Sequence, residues 1–599
     1  MQLSVLDWSI IIAFFVVSLL IGILVSKRAG SGVQEFFLSG RNMPWWLLGV
    51  SMVATTFSAD TPNLVTDIVR TNGVSGNWVW WAFLLTGMLT VFVYAKLWRR
   101  SEVLTDLEFY ELRYSGKGAA LLRGFRALYL GVFFNIMIMA GVSLAAIKIG
   151  SVLLGLAPWQ TLIIASTVTV AYSSLGGLKG VIITDFFQFA LAMIATFWAA
   201  GVLVDLPEVG GLQNLLAHAE VQPKLDFIPS LSNKELFFSV FLIPIAVQWW
   251  SVWYPGAEPG GGGYIAQRML SAKDEKNAIW ATLLFNFMHY AIRPWPWILV
   301  ALASIIVFPT LDSLAVAFPD IDPALIGNDL AYPAMMSFLP TGLLGLLVAS
   351  LVAAFMSTIS THLNWGSSYV VHDFYHRFID SEANDKKLVA VGRWTTLLLM
   401  VFSGIIALLL SNALQAFSIL LQIGAGTGLL FILRWFWYRI NVYSEITAMI
   451  VSFVIALYLQ IIHPALGFAP IATIDQLLWG VGLTTLSWVL VTLMTPAEDQ
   501  ATLVSFYQKI QPGGPGWKKV VQQAQQEGIT VDTTKKPWDV PTGIICMLLG
   551  TAAVYSLLFA AGSLLYGDYG RMGILLLLTL VSTVGLFYFW KRLKDSANG

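Results

Sequence analysis

Four hydroxyl side chains lie within five positions of one apolar stretch, LVASLVAAFMSTISTHLNWGSS. They are Ser357, Thr358, Ser360 and Thr361. On an α-helix Ala354, Ser357, Thr358 and Thr361 fall at i, i+3, i+4 and i+7, so they share one face. Oxygens that converge in this way can form the shell of a hard cation, which selects for the number and geometry of its ligands. A second interpretation stays open, because Ser and Thr in apolar helices also bond the carbonyl four residues earlier or a neighbouring helix.

A second stretch, PWWLLGVSMVATTFSADTPNLVTDIVR, is apolar up to Ala54 and then becomes polar through Asn63. It includes Pro62, so a helix here is expected to break and leave carbonyl groups unpaired. Carbonyls near Ala54 and Phe57, with two hydroxyls and one carbonyl of the first stretch, would make a shell of five oxygens with no formal charge. Such a shell suits a monovalent cation better than calcium.

Asp185 lies a few residues inside another apolar segment, GGLKGVIITDFFQFALAMIATFW. An ionised carboxylate in lipid costs several kcal/mol unless it has a partner, so a partner is implied. One candidate is a cation shared with Ser360 and Thr361. The alternative is a basic side chain such as Lys179.

These residues require a membrane scaffold. The chain has 599 residues, of which 57% are hydrophobic and 11% charged, and its mean hydropathy is +0.74. These values exclude an ordinary soluble domain. Since roughly 20 apolar residues span a bilayer, the apolar segments predict an all-α polytopic membrane protein with about fifteen spans.

The charges sum to zero, with 34 Lys and Arg against 34 Asp and Glu, which excludes a globally basic nucleic-acid-binding protein. Lys and Arg cluster in alternate predicted loops, among them Arg113, Arg123, Arg126, Arg268 and Lys518. The positive-inside rule then places the N-terminus outside and the C-terminus in the cytoplasm. Motifs for nucleotide binding or membrane hydrolysis are lacking, so the sequence does not indicate an enzyme.

Two predicted spans five apart are interrupted, the second at 44–70 and the seventh at 236–256. The seventh, FLIPIAVQWWSVWYPGAEPGGGGYIAQR, contains Pro255 and Pro259 and ends in four glycines. A pair of broken spans at corresponding positions is the pattern of an inverted-repeat transporter, in which unwound backbone coordinates ions at the midplane. The alternative is that Pro62 and Pro255 only kink two packed helices.

The segments GGLKGVIITDFFQ, YIAQRMLSAK and AAFMSTISTHLN resemble signature segments of the sodium:solute symporter family, which includes sodium-coupled sugar, proline and sialic-acid carriers. The resemblance covers about residues 5–440. It implies the leucine-transporter fold, with one leading helix, two inverted repeats of five helices each, and about four trailing helices.

The resemblance also implies cation sites. The principal sodium of the family lies between the first and eighth core helices, and the matching positions are the backbone oxygens of Ala54, Phe57 and Ala354 and the hydroxyls of Ser357 and Thr358. A second sodium, present in some members, would correspond to Asp185, Ser357, Ser360 and Thr361. We therefore expect one or two sodium ions.

By the same resemblance, the solute is expected beside the breaks. The positions are Thr56, Ser58, Asp60, Thr61, Trp81, Gln248, Trp249, Ser251 and Gln422. Aromatic faces with amides, hydroxyls and a carboxylate suit a sugar or polyol. Two departures leave alternatives open, because Trp80 lies about where the sugar carriers have a carboxylate and SVWYPGAEPGGGG is an apparent insertion at 255–263. Arg293 or His289 could instead receive a carboxylated solute such as an amino acid or sialic acid, and a solute sensor is a further alternative.

We expect four divisions of the chain: a leading helix and loop at 1–43, a first repeat at 44–235, a second repeat at 236–440 and trailing helices at 441–599. The cytoplasmic loop at 495–540 is basic and amphipathic, which suits either a helix on the inner membrane surface or a plain connector. The expected setting is the bacterial inner membrane. The expected partners are a small solute, sodium and the lipid bilayer, with no nucleic acid and no obligate protein partner.

Overall fold

The computed structural model describes the chain except for residues 1–2, 30–31, 253–257, 322, 324–325, 410–423, 425, 532–537 and 599. Its described residues form helices and turns and contain no β-strand, only one isolated bridge between Met43 and Ala272. Ten helices of this described part are long and apolar enough to cross a membrane. Helices predominate because lipid offers no partner for backbone N–H and C=O groups, which a helix pairs within itself.

The first seven main helices are α1 (Val5–Ala29), α2 (Trp45–Thr55), α3 (Thr61–Asn72), α4 (Val74–Ser101), α5 (Glu108–Arg113), α6 (Gly116–Leu154) and α7 (Pro158–Val204). The next six are α8 (234–246), α9 (Gly263–Ser271), α10 (Glu275–Val307), α11 (Leu343–Ile379), α12 (Asp385–Leu409) and α13 (Gly428–Leu433). The trailing helices are α14 (Val442–Ala465), α15 (Thr473–Met494), α16 (Gln500–Ile510), α17 (Lys518–Gln526), α18 (Val540–Leu565) and α19 (Tyr569–Asn598).

The first break, residues 56–60, separates α2 from α3. At the end of α2 the Phe57 N–H donates to the Ala54 carbonyl at 3.1 Å, a tightened turn after which the helix stops. Pro62 occupies the first turn of α3, where its missing N–H costs nothing. The break therefore exposes the last carbonyls of α2 to other partners.

The second break, residues 247–262, separates α8 from α9. Its described part includes Gly260 and Gly261, whose φ angles of 83° and 92° lie in the left-handed region that favours glycine. A Cβ on Gly261 would also lie 2.5 Å from the methyl of Met269. The glycine run is therefore required by backbone conformation and by close packing.

The long helices α7 and α11 pack along each other, and α2 lies against both α7 and α10. Helix α7 bends at Gly177, whose φ is 53° and whose Cβ would lie 2.7 Å from the Phe36 carbonyl oxygen. Almost all of α11 is buried from Leu343 to Ser368. This arrangement carries Asp185 of α7 to the hydroxyl face of α11.

The segment 500–526 docks onto the core. The guanidinium of Arg113 stacks 5.4 Å from the ring of Phe506 and 5.1 Å from that of Trp517. Trp517 Nε1 donates to the Trp435 carbonyl, beyond α13, at 3.0 Å. We call the contact of Arg113, Phe506, Trp517 and Trp435 the aromatic clamp.

Several cations that the sequence assigned to loops are buried. Arg113 and Arg268 are each 0% exposed, and Arg123 and Arg126 are nearly as covered. Arg123 pairs with Asp373 at 2.6 Å. These cations are held by internal partners. They therefore do not count as loop charges, and the positive-inside argument for the orientation of the termini is weaker.

Candidate functional site

The hydroxyl face of α11 meets the end of α2 at the first break. Thr358 Oγ1 donates to the Thr55 carbonyl oxygen at 3.0 Å. Ala54, Phe57 and Ala354, the other backbone positions of the predicted first cation shell, are each at most 2% exposed. The structure thus brings Thr358 to the predicted break, although the carbonyl that it contacts directly belongs to Thr55, one residue after Ala54.

Ser357 connects the two predicted cation sites. Its Oγ donates to Asp185 Oδ1 at 2.6 Å, and Ser51 Oγ of α2 donates to Asp185 Oδ2 at 2.5 Å. Asp185 is fully buried. A hydroxyl that donates one hydrogen keeps lone pairs for a cation, so Ser357 can serve this carboxylate and an ion at the same time.

Arg268 of α9 is the basic partner of Asp185, in place of Lys179. Arg268 Nη2 lies 3.6 Å from Asp185 Oδ2, and both side chains are fully buried. The same guanidinium donates to Thr361 Oγ1 at 2.6 Å and to Ser51 Oγ at 3.1 Å. A planar guanidinium with several fixed donors is suited to a buried carboxylate surrounded by hydroxyls.

The remaining predicted members of the second cation site are also hydrogen-bonded. Thr361 Oγ1 lies 3.0 Å from Thr55 Oγ1, and Ser360 Oγ donates to the Ser357 carbonyl at 3.1 Å. Arg268 therefore contacts two of the four ligands that the resemblance assigns to a second sodium, Asp185 and Thr361. The predicted site has a protein cation at its edge.

The sequence contains a signal for the burial of Arg268, although the charge pattern places this residue in a loop. In YIAQRMLSAK, Arg268 has the apolar neighbours Ala266, Met269 and Leu270, so a helix here would place Arg268 within a largely apolar segment. An intramembrane arginine calls for an acidic partner. Pairing that rule with Asp185 would have suggested the contact.

Thr56, at the first break, faces two basic side chains of α10. Its Oγ1 lies 3.0 Å from His289 Nδ1, and Arg293 Nη2 lies 3.2 Å from His289 Nε2. Because arginine can only donate, Nε2 accepts and the proton of neutral His289 resides on Nδ1. Arg293 also stacks 5.2 Å from the Trp297 ring, and its Nε has no hydrogen-bond partner.

The other three predicted solute residues of the first break lie at the start of α3. The Ser58 backbone N–H donates to Thr61 Oγ1 at 3.2 Å, and Asp60 is exposed while Ser58 is buried. The first break therefore leaves the Asp60 carboxylate accessible, next to a buried Ser58 and a half-buried Thr61.

The predicted residues of the second break contact α4. Gln248 Nε2 donates to the Val79 carbonyl at 2.7 Å, and the Trp249 carbonyl accepts from the Thr86 hydroxyl. Ser251 is buried and its hydroxyl has no partner. Gln422 lies outside the described residues.

Trp81 packs on a trailing helix and does not open toward the breaks. Its ring lies 5.7 Å from that of Phe559, and its carbonyl accepts from the Tyr555 hydroxyl at 2.7 Å. Its neighbour Trp80 instead stacks on Tyr290 at 5.9 Å and meets the His289 ring edge-on at 5.7 Å. Trp80 is therefore the tryptophan nearer to the first break, whereas the resemblance assigns Trp81 to the solute.

Comparison with known proteins agrees with this arrangement. The model of the sodium:solute symporter family matches residues 36–452. A sodium/glucose cotransporter of Vibrio parahaemolyticus is 25% identical over 83% of this chain and 92% of its own length. A sodium/mannose cotransporter of Bos taurus is 27% identical over 78% of this chain and 81% of its own.

A solved structure shares the fold. The substrate-bound outward-open state of a Na+-coupled sialic acid symporter superposes with a TM-score of 0.65 at 20% identity, over 83% of this chain and 100% of that one. The predicted fold class, a leucine-transporter type with two inverted repeats, is thereby confirmed, whereas the residue boundaries of the four divisions stay a prediction. Since the family match spans more than half of the chain and includes both breaks, Asp185 and the hydroxyl face of α11, this chain belongs to the sodium:solute symporter family and is a sodium-coupled transporter, not an enzyme.

Proposed function

We propose that the protein imports a small uncharged solute rich in hydroxyls, a sugar or polyol, together with sodium by alternating access. The observation that carries this proposal is the contact between Thr358 and the Thr55 carbonyl, because it joins α11 to the broken helix. The proposed shell of the first sodium comprises the backbone oxygens of Ala54, Phe57 and Ala354 and the hydroxyls of Ser357 and Thr358. A sodium ion there favours the conformation in which α2 and α11 are close.

Coupling follows from linkage between the two ligands. If sodium favours the conformation in which the breaks accept solute, then solute must raise the affinity for sodium by the same factor. When α2 and α11 separate, the shell loses ligands from one side. Ion and solute then leave together.

The groups around the breaks support a polyol. Thr56, Ser58, Thr61, Gln248 and Ser251 are neutral, and Trp80 and Tyr290 present ring faces nearby. Rings cover the C–H face of a sugar while hydroxyls and amides bind its oxygens. Relatives named for the transport of glucose, mannose and myo-inositol agree with this choice.

Arg293 favours a second candidate, a carboxylated solute. It is 1% exposed, its described contacts are carbonyl, hydroxyl, imidazole and ring groups, and its charge therefore has no compensating carboxylate among them. A buried cation of this kind can receive an anionic group. The neighbouring Thr56 would then bind the same end of the solute.

A thermal-shift screen on the purified protein separates the two candidates. Sugars, polyols, amino acids and organic acids are added with sodium or with potassium, and hits are tested for uptake into proteoliposomes. We expect sodium-dependent stabilisation and uptake with sugars or polyols. Stabilisation by carboxylated solutes alone would reject the polyol and support the role of Arg293.

We further propose that the second cation site, Asp185, Ser357, Ser360 and Thr361, holds sodium only in conformations where Arg268 withdraws. Since α9 is the half-helix after the second break, its movement would uncover the carboxylate. The ratio of sodium to solute, measured from reversal potentials, should fall in Asp185→Asn. An unaltered ratio would leave one sodium, with Arg268 as the permanent partner of Asp185.

We propose a bacterial inner-membrane location with the N-terminus outside and the C-terminus in the cytoplasm. Exposed Lys386 and Lys387 lie in the first turn of α12 on the proposed cytoplasmic side, and exposed Leu231 precedes α8 on the other. Cys546 is buried, so labelling of introduced cysteines has little background. An impermeant maleimide on intact cells should label Leu231→Cys and not Lys386→Cys, and the reverse result would invert the orientation.

A further inference from the structure

A small cavity lies beside the second break, between α4, α9 and α10. Its volume is about 60 Å³, which is room for a few water molecules. Full binding pockets are several times larger. Rings of Phe83, Phe285 and Tyr290 form much of its wall. The cavity can therefore enclose a part of a solute, such as a hydroxymethyl group, together with water.

Three polar atoms that line this cavity have no hydrogen-bond partner among the residues that the structure describes. They are Ser251 Oγ, Glu258 Oε2 and Asn286 Oδ1. The three residues are at most 5% exposed. Leaving a buried acceptor unsatisfied costs about 1–3 kcal/mol, so such atoms normally have a protein, water or ligand partner.

Two glycines leave room for two of these oxygens. A Cβ on Gly262 would lie 1.9 Å from Glu258 Oε2, and a Cβ on Gly87 would lie 1.8 Å from Asn286 Oδ1. Both glycines line the cavity. Any larger residue at either position would displace the oxygen or fill the space before it.

The charge of Glu258 is already balanced. Glu258 Oε1 accepts from Arg126 Nη2 at 2.5 Å, and the pair is buried. Asn286 Nδ2 donates one of its two hydrogens to the Thr282 carbonyl at 2.8 Å, and Asn286 Oδ1 accepts none from the described residues. The cavity therefore offers a ligand mainly acceptors, the oxygens of Glu258 and Asn286, together with the Ser251 hydroxyl, which can accept or donate. A hydroxyl can donate to them, whereas a carboxylate would be repelled by Oε2.

We propose that this cavity is an inner subsite for the hydroxyl groups of a neutral polyol on its way from the second break to the cytoplasm. The proposal rests on the sugar or polyol of the proposed function and gives that solute an exit contact distinct from the residues at the first break. Water occupies the subsite when solute is absent. In this role Asn286 and Glu258 bind solute late in the cycle.

The test compares the two sides of the membrane. Proteoliposomes of uniform orientation are loaded for uptake or for efflux, with myo-inositol, mannitol and glucose as probes. In Asn286→Ala we expect the half-saturating concentration on the cytoplasmic side to rise about five- to tenfold, as for one lost hydrogen bond. On the outer side it should change less than about twofold.

Two further variants guard against a folding defect. Gly87→Ala places a methyl against Asn286 Oδ1 from the opposite wall of the cavity. It should also raise the half-saturating concentration on the cytoplasmic side. Thr196→Val is the matched control, since its hydroxyl donates to the Ala192 carbonyl of its own helix at 2.7 Å and Thr196 does not line the cavity. Each purified variant must keep the thermal stabilisation by sodium that the native chain shows.

The outcomes are distinct. If polyols are transported and neither Asn286→Ala nor Gly87→Ala changes the cytoplasmic value, or both sides change equally, the subsite is overturned and the proposed function stands. If the native chain transports none of the probes, the polyol class and the subsite are both rejected. A selective cytoplasmic change in both variants and not in Thr196→Val supports the subsite.

Discussion

The two breaks differ in how their polar groups are satisfied. At the first break Thr55, Thr56 and Thr61 hydrogen-bond within the protein and the neighbouring Asp185 is matched by Arg268, while the Ser58 hydroxyl has no partner among the described residues. At the second break both Ser251 and Glu258 keep an atom without a partner in the described part of the chain, and Gly262 leaves room for Glu258 Oε2.

This difference separates two tasks. A largely filled network of neutral oxygens with one matched charge pair has a definite geometry, which a small ion requires. Unsatisfied acceptors beside a glycine run allow a solute to pass, because the ligand supplies the missing donors and no side chain must move far. We infer that the first break fixes the ion and the second releases the solute.

The largest effect is expected from Arg268→Gln. Asp185 would keep its burial and lose its cation, a change that costs roughly 3–5 kcal/mol in buried pairs. We expect little folded protein, measured by thermal unfolding in detergent, and no uptake. The double variant Arg268→Gln with Asp185→Asn removes both charges and should regain stability. A single variant as stable as the native chain would show that the pair is not a matched unit.

A smaller effect is expected from Thr358→Val, which keeps shape and removes the donor to the Thr55 carbonyl. The sodium concentration for half-maximal uptake should rise about tenfold, as for one lost hydrogen bond and one lost cation ligand. The control is Thr196→Val, because the Thr196 hydroxyl bonds only its own helix at the Ala192 carbonyl. Equal sodium activation of Thr358→Val and the native chain would remove Thr358 from the shell.

The start of α9 gives a pH prediction. Asp106, in the loop before α5, accepts from the Gly263 N–H at 2.8 Å, and burial together with the nearby charges of Glu258 and Asp373 raises its pKa from 3.8 to about 7. Tyr369 also donates to this carboxyl.

Because the folded chain then binds the proton more tightly than the unfolded chain, this group makes stability fall as pH rises from about 4 to 7. Thermal unfolding across that range should show a shallower decline in Asp106→Asn than in the native chain. Identical slopes would mean that Asp106 does not hold its proton here.

The smallest expected effect distinguishes neighbouring tryptophans. Trp80→Phe should raise the half-saturating solute concentration about threefold, since Trp80 stacks on Tyr290 beside His289. Trp81→Phe should leave it nearly unchanged, because Trp81 packs against α18 and its indole N–H has no partner to lose. A larger effect in Trp81→Phe would return that residue to the solute site.

Much of the fold could be predicted from composition and spacing. Apolar length gives spans because the bilayer has a nearly fixed thickness, and Pro62 and the glycines before Tyr264 mark places where a helix must stop. The helical period placed Ser357, Thr358 and Thr361 on one face, and the structure buries that face against α2 and α7.

The remaining features depend on contacts between distant segments. Arg268 and Ser51 are separated by 217 positions, so no local pattern reveals that they meet. The charge pattern places Arg268 in a loop and does not reveal its burial. Trp80 and Trp81 differ by one position, which turns them about 100° apart on a helix, and only the packing of α18 decides which one faces the breaks.

The aromatic clamp has a mechanical consequence. Trp517 is tied to the backbone beyond α13 and to Arg113, which itself donates to the Arg434 carbonyl at 2.9 Å. The segment after α15 therefore links the end of α13 to α5, which lies between α4 and α6. A movement that separates those helix ends must either carry this segment along or pull Trp517 out of its place, so the segment helps to set how far the ends can move apart.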